Sequence, residues 1–162
     1  VSFNLLKDYV EVDQAIQTYW WSDESKNSSW CQKHMPFYYK FYPFRRPDIG
    51  VKHFEWASTL DDPKLPPHDR SDHQAVLARE ILVLYRWWTI DRPARKEVDV
   101  PDYNHQGLGC IGCLDSDFDT DAPDYVAHKE AMAQNSALED KWVKEDDEML
   151  VRLIKIRTGL WN

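Results

Sequence analysis

The stretch SDHQAVLAREILVLYRWW, residues 71–88, decides the fold of this 162-residue chain. Ser71 stands three residues before Gln74, which is the spacing of a capping box at the start of a helix. Behind this cap, apolar side chains recur every three or four residues, the period of one helix face. The face consists of Leu77, Ile81, Leu84 and Trp88, widened by Ala78, Leu82 and Tyr85. Its breadth predicts a central helix, which Pro93 ends.

Residues 2–21 also have helical periodicity. The apolar side of this predicted helix carries Leu5, Tyr9, Val12, Ile16 and Tyr19. The opposite side, which we expect to face solvent, carries Lys7, Glu11, Gln14 and Thr18. Asp48 can cap a further helix that runs to about Leu60. Its apolar side would hold Ile49, His53, Trp56 and Leu60.

The C-terminal part of the chain predicts a helix that begins at Pro123, since proline suits a first helical turn. Ser136 and Glu139 form a second capping box, which predicts a break near Asn135. The final helix should run to Thr158, with Gly159 closing it. One side of this helix carries Trp142, Met149, Leu153, Ile156 and Leu160.

Together these segments predict an all-α fold, a bundle of four or five helices in a single domain over residues 1–162. Residues 31–47, rich in aromatic side chains and proline, predict an extended arm or an edge strand. Residues 93–122 have no clear period and predict one long irregular loop.

Composition excludes several classes of protein. Apolar residues make up 43% of the chain, enough for a substantial core. No apolar run approaches the roughly 20 residues of a membrane span, so we expect no membrane association. The net charge is −8, and residues 99–150 carry fourteen acidic residues against three lysines. This acidity argues against broad binding to duplex DNA. Three cysteines, an odd number, indicate a reducing compartment.

The stretch GCIGCLDSDFDTDAPD, residues 109–124, has the strongest chemical character in the sequence. Thiolates favour zinc, which needs four nitrogen or sulfur ligands in a structural site. Two pairs, each spaced three residues apart, supply them: Cys31 with His34, and Cys110 with Cys113. We expect either one structural zinc or no cofactor at all. In the second case this stretch is a turn followed by a solvated acidic lead-in to a helix.

The aspartates at positions 115, 117, 119 and 121 resemble the opening of a calcium loop. Counted from the first of them, such a loop needs glycine at its sixth position and glutamate at its twelfth. Those positions hold Thr120 and Val126, so the calcium motif fails at both.

The aromatic arm allows two interpretations. Aromatic side chains interleaved with cations can stack on single-stranded bases, or they can pack against the bundle as part of the core. The second is favoured because the chain as a whole is acidic. The candidate binding residues of the arm are Tyr38, Tyr39, Lys40, Tyr42, Arg45 and Arg46.

The sequence contains no glycine-rich phosphate loop, no G-x-S-x-G and no H-E-x-x-H motif. No catalytic residue is therefore assigned, and a non-enzymatic role is favoured. A metal-dependent enzyme that uses Cys110, Cys113 and nearby acids is the alternative.

Four stretches, FNLLKDYVEVDQA, FRRPDIGVKHFEWASTLDDP, AREILVLYRWWTIDRPAR and EDDEMLVRLIKIRTGLW, resemble a family of uncharacterised proteins encoded by tailed bacteriophages. The resemblance runs over most of the chain in order. It implies a viral protein that acts in the host bacterial cytoplasm or in a virion, but it brings no activity and no catalytic residue. The cysteines are not a feature of that family, which weakens the zinc hypothesis.

These observations favour a phage-encoded, non-enzymatic helical protein that binds a host or phage protein. A virion-associated structural or assembly protein, which would associate with further copies of itself, is the main alternative. Single-stranded nucleic acid is an alternative partner, suggested by the arm.

Overall fold

The computed structural model describes residues 2–21, 45–101 and 123–160. Within these ranges the chain forms four helical stretches and no strand, which confirms the predicted all-α class. Among the described helices, none is both long and apolar enough to cross a membrane. The predicted arm lies outside the described residues except at its C-terminal end, and the predicted loop is described only to Pro101.

The first helical stretch has three parts: α1 (Ser2–Asp8), a first π-helical segment (Tyr9–Gln14) and α2 (Ala15–Trp21). The predicted helix over residues 2–21 is therefore confirmed, but the sequence did not predict its π-helical centre. Such segments are rare, and they interrupt the regular hydrogen bonding of an α-helix.

The predicted division of this stretch into an apolar and a solvent-facing side is correct at Val12, which is buried, but wrong at several other positions. Leu5 is 46% exposed, whereas Leu6 and Val10 are almost fully buried. Glu11 and Gln14, both predicted to face solvent, are buried. The sequence holds two overlapping apolar patterns at helical spacing, and the structure buries the one that includes Leu6 and Val10.

The helix α3 (Pro47–Ala57) begins with proline at its first position. Its N-cap is Arg46, without a side-chain cap, so the prediction that Asp48 caps the helix is wrong. Asp48 lies in the first turn and instead accepts hydrogen bonds from the Arg46 guanidinium at 3.0 and 2.9 Å. The helix also ends three residues before the predicted Leu60, which lies buried in the turn that follows.

The buried face of α3 consists of Gly50, Phe54 and Ala57, whereas Trp56, predicted to face inward, is 60% exposed. Gly50 allows α3 to approach the first π-helical segment closely. A Cβ atom at this position would lie 1.9 Å from the carbonyl oxygen of Val10, so any larger residue would force the two elements apart.

The helix α4 (Asp72–Arg86) continues into a second π-helical segment (Trp87–Asp91). The side chain of Ser71 caps α4, because its Oγ accepts a hydrogen bond from the Gln74 backbone N–H at 3.4 Å. This confirms the predicted cap. The predicted central position of α4 is also confirmed, since its buried residues are Ala75, Ala78, Ile81, Leu82, Leu84 and Tyr85.

The last helix, α5 (Pro123–Leu160), is continuous over 38 residues. The predicted break near Asn135 is therefore wrong. Asn135 is buried, and its side-chain amide bonds to the backbone of Val98 instead of capping a helix. The helix also extends beyond the predicted Thr158.

The chain divides into two compact units. The first unit comprises 1–94 with 149–162, and the second comprises 95–148. The prediction of a single domain is not tested by this division and stays a prediction. The core of the first unit contains Phe3, Leu6, Val10, Phe54, Ala57, Leu60, Ala75, Ala78, Ile81, Leu82, Leu84, Tyr85, Trp87 and Leu153.

An ion pair reinforces the first unit beside this core. The Arg152 guanidinium of α5 donates to the Glu80 carboxylate of α4 at 2.6 and 2.8 Å. These hydrogen bonds lower the pKa of Glu80 despite its partial burial. Such a bidentate pair is geometrically specific, so it fixes the register of the end of α5 against α4.

We expect Leu84→Ala to lower the free energy of unfolding by about 2–5 kcal/mol, because Leu84 is fully buried and its loss leaves a cavity. Val83→Ala is the matched control: Val83 is the preceding residue but is 44% exposed, so its loss should cost less than about 0.5 kcal/mol. Urea unfolding measures both. Equal losses in the two variants would contradict the central position of α4.

Candidate functional site

A groove of about 290 Å³ opens on the first unit, between the first helical stretch, α3 and α4. Pockets for small molecules usually span about 300–1,000 Å³, so this groove lies at the lower limit of that range. Its size suits a single large side chain better than a whole ligand. The lining residues are Tyr9, Gln14, His53, Phe54, Trp56, Ala57, Leu60, Gln74, Leu77, Ala78 and Ile81.

The floor of the groove is apolar and firmly packed. Phe54 and Ile81 are buried there, as are Ala57 and Ala78. The side chain of each alanine is a single methyl group, so the groove stays open at positions where larger side chains would fill it. Since these four residues belong to the core of the first unit, the floor is preformed.

Aromatic side chains form the rim on the side of α3. The His53 ring contacts the Phe54 ring edge to face, with 5.3 Å between centroids, and lies 5.6 Å from the Trp56 ring. Trp56 is 60% exposed. Tryptophan is enriched among the residues that dominate binding energy at protein interfaces. Trp56 is therefore a largely exposed aromatic side chain at the rim of the groove.

The titratable groups of the groove are neutral near pH 7. Burial lowers the pKa of His53, which keeps the imidazole uncharged. Burial, together with the nearby Asp13 carboxylate, raises the pKa of Tyr9, which keeps the phenol protonated. The remaining polar lining groups are the amides of Gln14 and Gln74. The groove therefore offers hydrogen bonds without net charge.

Beside the groove, the first π-helical segment holds a buried carboxylate. Glu11 is 6% exposed. It accepts hydrogen bonds from the Tyr85 hydroxyl at 2.9 Å and from the Arg45 guanidinium at 3.2 Å. The Lys7 ammonium lies 3.9 Å away. The backbone carbonyl of Glu11 accepts a hydrogen bond from the Arg46 N–H at 3.4 Å. Glu11 thus ties α4 and the start of α3 to the segment that contributes Tyr9 and Gln14 to the groove.

The Tyr85 hydroxyl acts as a permanent donor in this arrangement. Burial raises the pKa of Tyr85 strongly, and the hydrogen bond to Glu11 raises it further because ionisation would place two negative charges side by side. The geometry is that of a structural contact, since Glu11 and Tyr85 are both buried.

Most site residues predicted from the sequence lie outside the described ranges. These are the zinc candidates Cys31, His34, Cys110 and Cys113, and the arm residues Tyr38, Tyr39, Lys40 and Tyr42. Zinc binding stays a prediction. Within the described ranges, no three His, Cys, Asp or Glu side chains are grouped as metal ligands would be.

Only two of the predicted arm residues are described, and each forms an ion pair within the chain. The Arg45 guanidinium lies 2.7 Å from the Asp8 carboxylate and 3.2 Å from Glu11. The Arg46 guanidinium lies 2.9 Å from Asp48. Arg45 therefore helps to hold the chain against the first π-helical segment.

The groove itself was not predicted from the sequence. Its histidine was assigned to the apolar side of α3, in agreement with its half-buried position, but nothing indicated a hollow. The sequence signal that could have indicated the groove is the occurrence of two alanines, Ala57 and Ala78, on helix faces that also carry aromatic residues.

Comparison with protein-family models, with curated proteins and with solved structures found no match to this chain.

We expect high pH to destabilise the protein through Tyr85. Because its folded pKa is raised, the folded chain retains a proton that the unfolded chain loses above about pH 10. The contribution of Tyr85 to stability is therefore complete below that pH and is lost as the pH rises further. Between pH 9 and pH 11, the free energy of unfolding of the wild type should fall more than that of Tyr85→Phe. Equal falls in urea unfolding would contradict the assigned contact.

Proposed function

We propose that this chain is a non-enzymatic helical protein that binds a partner protein, and that the groove receives one large apolar or aromatic side chain of that partner. The observation that carries this proposal is the 60% exposure of Trp56 at the rim of a preformed, apolar-floored groove. At protein interfaces, an anchor side chain of one partner commonly enters a well-packed pocket of the other, surrounded by contacts that exclude water.

The electrostatics support a neutral anchor. His53 and Tyr9 are uncharged near pH 7, because burial lowers the pKa of the imidazole and raises the pKa of the phenol. Two carboxylates that neighbour lining residues in sequence, Glu55 and Asp61, are each paired with an arginine. Arg86 donates to Glu55 at 2.8 Å, and Arg79 donates to Asp61. A charged side chain would gain no free counter-ion from these pairs, whereas an apolar or aromatic side chain gains by leaving water.

The polar groups of the rim can orient the incoming side chain through hydrogen bonds. The half-buried imidazole of His53 and the amides of Gln14 and Gln74 can bond to the backbone or to the polar edge of the incoming side chain. Tyrosine and tryptophan combine a large apolar surface with one such polar group, so they fit this lining best.

The setting in which this binding occurs is proposed from the sequence alone. The resemblance to uncharacterised proteins of tailed bacteriophages supports a viral protein that acts in the host bacterial cytoplasm or in a virion. The partner would then be a host or phage protein.

Peptide selection on the immobilised full chain tests the proposal. Selected peptides should carry an aromatic residue whose replacement by alanine abolishes binding. Trp56→Ala should weaken their binding at least tenfold. Val76→Ala is the matched control, because Val76 is equally exposed, at 60%, and does not line the groove. It should change affinity less than twofold.

Two results would contradict the proposal: affinities that Trp56→Ala leaves unchanged, or an equal loss in Val76→Ala. Circular dichroism of both variants should match the wild type, since both side chains lie largely in solvent.

A further inference from the structure

In the second unit, residues 95–101 run alongside α5 and contact it at Arg95, Val98 and Pro101. We call residues 95–101 the strap. It has no regular secondary structure of its own, and side chains of the helix bond to its backbone. This is how a helical protein holds an extended peptide, although here the peptide belongs to the same chain.

The central contact recognises backbone and not side chain. The Val98 N–H donates to Asn135 Oδ1 at 2.7 Å, and Asn135 Nδ2 donates to the Val98 carbonyl at 2.9 Å. Asn135 is 9% exposed, so this helix position buries a polar side chain whose amide oxygen and nitrogen both bond to the strap. A pairing of this kind accepts any residue except proline at the position of Val98, because only proline lacks the donor.

The register of the strap matches that of the helix. The Pro101 carbonyl lies 3.0 Å from Nδ1 of His128, seven residues before Asn135. The Arg95 guanidinium lies over the Trp142 ring, seven residues after Asn135, at 5.8 Å from its centroid. Three extended residues and seven helical residues both span about 10 Å, so contacts recur at every third strap residue and every second helical turn.

At the C-terminal end of these contacts, α5 binds the Arg95 side chain of the strap. Arg95 is only 15% exposed at its side chain. Its guanidinium lies 3.1 Å from the Glu145 carboxylate and 2.7 Å from the Asp146 carboxylate. Two carboxylates and an aromatic face together exploit the planar, delocalised charge of arginine, which the compact ammonium of lysine cannot match.

The charge of the helix favours the same kind of segment. Residues 123–148 carry eight acidic residues against three lysines. A basic extended segment is attracted to this face, whereas an acidic one is repelled.

We propose that this surface of α5, formed by His128, Asn135, Trp142, Glu145 and Asp146, is a binding site for an extended, arginine-bearing segment of a partner protein. The strap occupies the site as a built-in competitor. The partner segment requires arginine at one position and a backbone N–H three residues later. The proposal is independent of the groove, because it rests on the contacts of the second unit alone.

Because the strap occupies the site, it lowers the affinity of the intact protein for an external peptide. A tethered strap acts at an effective concentration on the order of millimolar, so a free peptide must displace it. Weakening the strap in place should therefore strengthen the binding of an external peptide. Val98→Pro does this with one change, because it removes the N–H that Asn135 accepts and leaves all five site residues intact.

The experiment uses a fluorescein-labelled synthetic peptide, ARKEVDVP, which is the sequence of residues 94–101. Its fluorescence anisotropy is titrated with the full-length chain. Val98→Pro should bind the peptide at least tenfold more tightly than the wild type does. Adding Asn135→Ala should remove that gain. A peptide with alanine in place of its arginine, and a scrambled peptide of the same composition, should both bind at least tenfold more weakly than the parent peptide.

Arg95→Ala provides a second route, because it removes the guanidinium of the strap from Glu145 and Asp146 without altering the strap backbone. It should also strengthen peptide binding, so the test remains decisive if Val98→Pro loses helicity by circular dichroism. The proposal is overturned if wild type and strap variants bind the peptide equally. It is also overturned if the scrambled peptide binds as tightly as the parent, which would indicate charge attraction alone.

Discussion

The buried carboxylate of Glu11 is the contact on which the arrangement of the first unit depends. A charged group taken out of water is costly unless hydrogen bonds replace its hydration, and Glu11 has the Tyr85 hydroxyl and the Arg45 guanidinium as partners. These partners come from α4 and from the residues just before α3. One side chain therefore joins three parts of the chain, next to the close approach of Gly50 to Val10.

The groove and the strap site differ in chemistry, and each follows from its own unit. The groove has an apolar floor made by core residues and a neutral rim, so it favours an apolar or aromatic side chain. The strap site has a buried amide and two carboxylates on one helix, so it favours extended backbone and arginine. Both proposals describe recognition of protein segments, but by different means, and each can fail without the other.

Periodicity and caps predicted the helices because both depend on neighbours a few residues away. Ser71 caps α4 as expected, and α4 buries the predicted face. The same reasoning failed at Glu11 and Asn135, since a periodic pattern places polar residues in solvent or at helix ends. Their partners, Tyr85 and Val98, lie 74 and 37 residues away in the sequence. The groove and the strap site depend on such distant pairs, so local patterns could not reveal them.

A double-mutant cycle between Glu11→Ala and Tyr85→Phe tests the central role of Glu11 most directly, because each change removes one partner of the hydrogen bond. The cycle isolates the coupling of the two side chains from the cost of each change alone. A buried hydrogen bond to a charged group predicts a coupling of about 1.5–3 kcal/mol in the free energy of unfolding. The exposed pair of Glu55 and Arg86 is the reference, with an expected coupling below about 0.5 kcal/mol. Equal couplings in the two cycles would contradict the account.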